Sequence, residues 1–108
     1  MSEYIVVYVT APDEEKAASI AYIVVEDKLA ACVNIIKGIK SIYLWEGKLE
    51  TEAECLMIIK TRRSLFPALQ KRIKELHPYK VPEIIAAPII EGSMEYLSWV
   101  KDSTEGFV

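Results

Sequence analysis

The chain predicts an α+β domain: a four-stranded antiparallel sheet in β-α-β-β-α-β order, with a further helix at its C-terminal end. Three observations carry this. Short apolar, β-branched runs recur at 4–10, 29–36 and 82–90. Period-two alternation holds on both sides of Gly47, which marks a long hairpin. Apolar residues recur at helical spacing in the segments between.

The elements follow in order. YIVVYVT (4–10) reads as the first strand. Pro12 and the acids Asp13, Glu14 and Glu15 open a helix, where proline suits the first turn and acids suit the positive dipole end. Ala17, Ile20, Ala21, Val24 and Val25 give that helix one apolar stripe. LAACVNII (29–36) is the second strand, and after Lys37-Gly38 the hairpin runs from 39 to 61. On its first arm Ile39, Ser41, Tyr43 and Trp45 share a face. On its second arm Glu50, Glu52 and Glu54 lie opposite Leu49, Thr51, Ala53 and Cys55. Ser64 is expected to cap a second helix with Leu65, Leu69, Ile73 and Leu76 facing inward. HPYKVP ends that helix, PEIIAAPII (82–90) is the fourth strand, and Ser93 caps a last helix carrying Tyr96, Leu97, Trp99 and Val100. This is the split βαβ, or ferredoxin-like, arrangement, with two helices on one face of the sheet.

A length of 108 residues fits one domain over 1–108, and 52% hydrophobic residues supply a core without staples. A net charge of -3 with 27% charged residues leaves no electrostatic footprint for nucleic acid or an anionic membrane. There is no 18-residue apolar run and no N-terminal apolar leader, so the chain is expected to be soluble and cytoplasmic. Cys32 and Cys55 form no CxxC pair, which argues against a disulfide framework or a structural zinc. GxGxxG, Walker, GxSxG and HExxH motifs are absent, and no nucleophile, base and orienter can be assembled, so no enzyme is expected.

Two features point to an oligomer. The strands at 4–10 and 29–36 are apolar on both faces, although the chain's own helices cover only one. Each hairpin arm also continues roughly 8 residues past Lys37-Gly38, about 26 Å at the usual rise, and an isolated ribbon of that kind is marginal in water.

His77 is the only histidine, and its imidazole suits copper, nickel or zinc. It equally suits a helix end, meeting the last carbonyls. Cys32 lies in an apolar run, where a thiol is more often a small buried hydrophobe than a soft ligand. The stripe Glu50, Glu52 and Glu54 puts carboxylates roughly 7 Å apart, too far to close on one ion together. Trp45 beside the hairpin turn calls for a partner surface or forms one wall of an intersubunit pocket. Lys60, Tyr79 and Glu83 could line a cleft for a small anion.

LAACVNI (29–35), YLWEGKLETEAE (43–54), Lys60-Thr61, HPYKVPEI (77–84) and EYLSWV (95–100) together resemble the CutA divalent-cation-tolerance proteins over almost the whole chain. The resemblance implies a ferredoxin-like homotrimer, similar in architecture to the PII signalling proteins, with a role in tolerance of copper and other divalent ions and no catalysed reaction. By position it places Cys32, Trp45, Gly47, Glu52, Lys60, His77, Tyr79, Pro82 and Glu83 on family pattern positions, whereas Cys55 falls outside the pattern. The expected metal set is His77, Cys32 and Glu83; the expected ligand cleft is Trp45, Glu52, Lys60 and Tyr79. The metal would be copper or another divalent cation. The alternative is a PII-like adaptor that binds a small anionic ligand or a partner protein between subunits.

Overall fold

The computed structural model describes residues 3–106. Strand β1 spans Tyr4–Ala11, helix α1 Glu14–Glu26, β2 Cys32–Trp45, β3 Lys48–Arg62, α2 Phe66–Leu76, β4 Ile84–Pro88 and α3 Met94–Ser103. The four strands form one antiparallel sheet in the order β2-β3-β1-β4, so the fold class is as the sequence predicts.

Side chains from β1 (Ile5, Val7, Val9) and β3 (Met57, Ile59) meet Ala17, Ile20 and Val24 of α1 and Leu69 and Ile73 of α2 in the core. Asp13 caps α1, its carboxylate accepting from the Lys16 N–H at 2.7 Å. Pro12 therefore lies just outside the helix instead of in its first turn. Val25, expected in the stripe, is exposed, because one further residue rotates it off the buried face.

The second strand begins later than its apolar run. The Leu29 and Ala30 N–H groups both bond the Val24 carbonyl at the end of α1, so they are not free for a ladder. Leu29, Ala30 and Ala31 instead form a buried entry, tied down by the Thr61 hydroxyl, which donates to the Leu29 carbonyl at 2.7 Å. From Cys32 the strand runs to Trp45 as one element, with an irregularity in pairing between Ile36 and Ile39. Ser64 caps nothing: it lies in a 3₁₀ turn, Arg63–Leu65, and α2 starts without a side-chain cap behind Leu65. Pro67, in the first turn of α2, lacks the N–H that a cap would serve.

β1 and β3 pair from Tyr4↔Arg62 to Ala11↔Cys55. Beyond that point β2 and β3 continue alone as a two-stranded arm, closed by the turn Glu46-Gly47. The arm draws the chain out to 44 × 27 × 22 Å. The second sheet face carries Tyr8, Ile58, Ile36 and Ile85 at paired positions. Among the described residues, α3 lies at one end of it, where Arg62 bonds Thr104 through its Nε at 2.9 Å.

Candidate functional site

The hairpin register decides which side chains meet. Tyr43 pairs with Glu50, Ser41 with Glu52 and Ile39 with Glu54, and directly paired residues share a face. The glutamate stripe therefore faces the same way as Ser41 and Tyr43. Opposite this stripe stands the turn after α2, which ends at His77 because Pro78 cannot continue it. Pro78, Tyr79, Lys80, Val81 and Glu83 line the second wall of a cleft of about 780 Å³, and Glu50, Glu52, Glu54, Tyr43 and Trp45 line the first.

The turn is held from behind. His77 is buried, and its Nε2 lies 2.7 Å from the Thr10 carbonyl of β1. Its Nδ1 accepts from the Tyr79 N–H at 3.1 Å. A carbonyl on one side and an N–H on the other assign the neutral tautomer with the proton on Nε2. The ring does not reach back to the last carbonyls of α2, as a helix-end histidine was expected to; it ties the turn to β1 instead. The Tyr79 ring packs on His77 with centroids 4.7 Å apart. The Tyr79 hydroxyl donates to Glu54 Oε2 at 2.7 Å, and Glu54 is only 7% exposed. Burial, the bond to Glu54 and the charges of Glu54 and Glu52 push the Tyr79 phenol far above its ordinary value. Desolvation and the carboxylates of Glu52, Glu54 and Glu50 push Tyr43 up as well.

A second polar group sits at the other end of the same sheet face. The Lys60 ammonium donates to Asn34 Oδ1 and lies 3.9 Å from Cys32 Sγ. Burial, followed by the influence of Cys32, pushes the phenol of Tyr96 in α3 up. Lys60 and Glu54 are separated along β3 by about 20 Å at the strand rise.

Of the residues singled out in the sequence, the cleft brings together Trp45, Glu52, Tyr79 and Glu83. His77 stands behind its wall with both ring nitrogens engaged. Cys32 and Lys60 lie together, away from it. The expected metal set His77, Cys32 and Glu83 is thus spread over three places, and among the described residues no three His, Cys, Asp or Glu side chains converge to hold a metal. The described donors of one chain do not build a closed metal site. What the cleft offers is oxygen: four carboxylates and two phenols against one ammonium, Lys80. Tyr43 and Glu54 were not singled out for the cleft from sequence, although the cross-strand register of the hairpin, counted from Glu46-Gly47, leads to both.

Fold and cleft define a ferredoxin-like α+β domain with an acidic cleft between a projecting hairpin and the turn before its last strand. Residues 5–103 match the family model of the CutA1 divalent ion tolerance protein, and the chain belongs to that family. It is 52% identical over 99 residues to the divalent-cation tolerance protein CutA of Thermus thermophilus, covering 92% of this chain and 96% of that one. It is 55% identical over 100 residues to the chloroplastic protein CutA 1 of Oryza sativa, covering 93% of this chain but 56% of that protein. The chain thus spans little more than half the length of the rice relative. The crystal structure of CutA1 from Oryza sativa superposes with a TM-score of 0.94 at 52% identity, over 97% of this chain and 96% of that one.

Proposed function

We propose that this chain acts in divalent-cation tolerance as a homotrimer whose acidic clefts, closed by neighbouring subunits, take up divalent ions reversibly. One observation carries the reading: Glu50, Glu52, Glu54 and Glu83 line a cleft that holds a single lysine. Carboxylate and phenol oxygens suit hard and borderline cations. Copper, the ion expected from His77 and Cys32, would bind through these same oxygens, since His77 has no free lone pair. Ions shared across subunits overcome the roughly 7 Å spacing of the stripe, because symmetry supplies further copies of every donor.

Support for assembly comes from the sheet: its second face carries Tyr8, Ile58 and Ile85, its β2 and β4 edges are open, and the arm has no core of its own beneath it. An anionic effector is the weaker reading, since Lys60 stands outside the cleft and is engaged with Asn34. The two free thiols suit a reducing compartment, and we place the protein in the cytoplasm.

Native mass spectrometry of metal-free protein, with and without one equivalent of manganese or copper per chain, tests this. The expected result is a three-chain species that takes up a defined number of ions, reduced in Glu50→Gln/Glu52→Gln. A trimer that takes up none, or only a statistical spread unchanged in the variant, removes the cation reading. A monomer removes the shared site.

A further inference from the structure

The Glu54 carboxylate is buried and makes no ion pair among the described residues. Glu52 and Glu50 follow it on the same strand face, so its neighbours repel it. A buried carboxylate is costly without a partner, and a short O–H···O⁻ bond is among the stronger ones. Here the partner is the Tyr79 hydroxyl at 2.7 Å. This bond has a particular location. Glu54 is the first residue of the arm past the last β1–β3 pair, Ala11↔Cys55. Tyr79 belongs to the turn, whose backbone is fixed to β1 through His77 and Thr10. The two walls of the cleft are therefore joined where the arm leaves the body.

We propose that the Tyr79–Glu54 hydrogen bond is a latch: closed, it holds the arm against the turn and occupies the Glu54 oxygen that faces Tyr79; open, it frees both walls and releases that carboxylate oxygen to bind an ion in the cleft. His77 is the positioning residue, fixing the Tyr79 backbone and stacking on its ring. The mechanical claim stands on this geometry alone; its effect on ions rests on the cation reading above.

Amide hydrogen exchange on the assembled protein tests the latch without any ion. Tyr79→Phe keeps the ring contact with His77 and removes only the hydroxyl. Exchange in residues 48–54 and 78–83 is expected to speed up about tenfold or more, as for loss of a hydrogen bond to a charged group, with Val7 and Ile59 in the core unchanged. Glu54→Ala should do the same, and the double variant should add little. Parent-like exchange in Tyr79→Phe, equal acceleration throughout the molecule, or additive effects in the double variant would each overturn the latch. Manganese uptake then separates the two ideas. More uptake by Tyr79→Phe than by the parent supports a latch on a cation cleft, and equal uptake overturns the withholding of that Glu54 oxygen. Uptake by neither protein overturns the cation reading while the exchange result still decides the mechanical claim.

Discussion

A single imidazole ties three segments here, which is why His77 matters more as a connector than its place at a helix end suggests. Replacing it by leucine leaves the Thr10 carbonyl and the Tyr79 N–H without partners inside the protein. Two such losses should cost about 2–4 kcal/mol, read as a lower denaturation midpoint. Tyr79 gives a pH signature. Its folded-state phenol is held above 10.0, its ordinary value, so the folded chain keeps that proton more tightly than the unfolded chain. The resulting stability is complete below about pH 10 and is lost as pH rises beyond it. Tyr79→Phe should flatten this alkaline decline in denaturation curves taken at successive pH values; an unchanged slope would remove Tyr79 as its source. The sequence singles out His77, Tyr79 and Glu83 as more polar variety than a turn requires, Cys32 as a thiol within an apolar strand, and Lys60 as a cation to join Tyr79 and Glu83 around an anion. It could not show that His77, Tyr79 and Glu83 serve one cleft and Cys32 and Lys60 another place, because that depends on strands far apart in the chain coming into register.

At the level of elements, the turn and the caps behaved differently. Period-two alternation found the hairpin because one face carries acids and the other apolar groups. Its turn is strained where a better residue exists: Glu46 adopts φ 51° and Gly47 φ 80°. Asparagine tolerates the left-handed region better than glutamate, and Asn-Gly is the favoured pair for two-residue turns of this kind. Glu46→Asn should stabilise by about 0.5 kcal/mol, seen as a small rise in Tm. Conversely, Asp13→Ala should cost about 1 kcal/mol through the lost cap on α1. Ser64 was misplaced by the same rule that placed Ser93, because a 3₁₀ turn intervenes and proline removes the need for a cap. The late start of β2 has a similar cause: an apolar run looks the same whether it is laddered or folded against a helix end, and only the bonds from Leu29 and Ala30 to Val24 distinguish them.

For the whole molecule, the apolar second face was readable in sequence as strands without a wet side. Ile85, Tyr8 and Ile58 now form a paired row across it. Ile85 is 55% exposed in the isolated chain, so a charge there costs the chain's own core little. Ile85→Asp should yield a folded monomer, with helical circular dichroism retained and a one-chain mass in sedimentation. An intact oligomer in that variant would place the interface elsewhere.

The pairing irregularity between Ile36 and Ile39 has a consequence for the cleft. β2 advances three positions there while β3 advances two, from Leu56 to Glu54. Even-numbered residues of β2 share the Lys60 face before the irregularity, and odd-numbered ones share the Glu54 face after it. Lys37-Gly38, with Gly38 at φ 71°, thus acts as a change of phase in the strand. Were the same residues paired straight through without this irregularity, the tip of the arm would reverse its parity: Leu44 and Ile42 would turn toward the glutamates, while Tyr43 and Ser41 would turn away. The shift of register at Lys37-Gly38 therefore decides whether the glutamate stripe looks out beside tyrosine and serine or beside leucine and isoleucine.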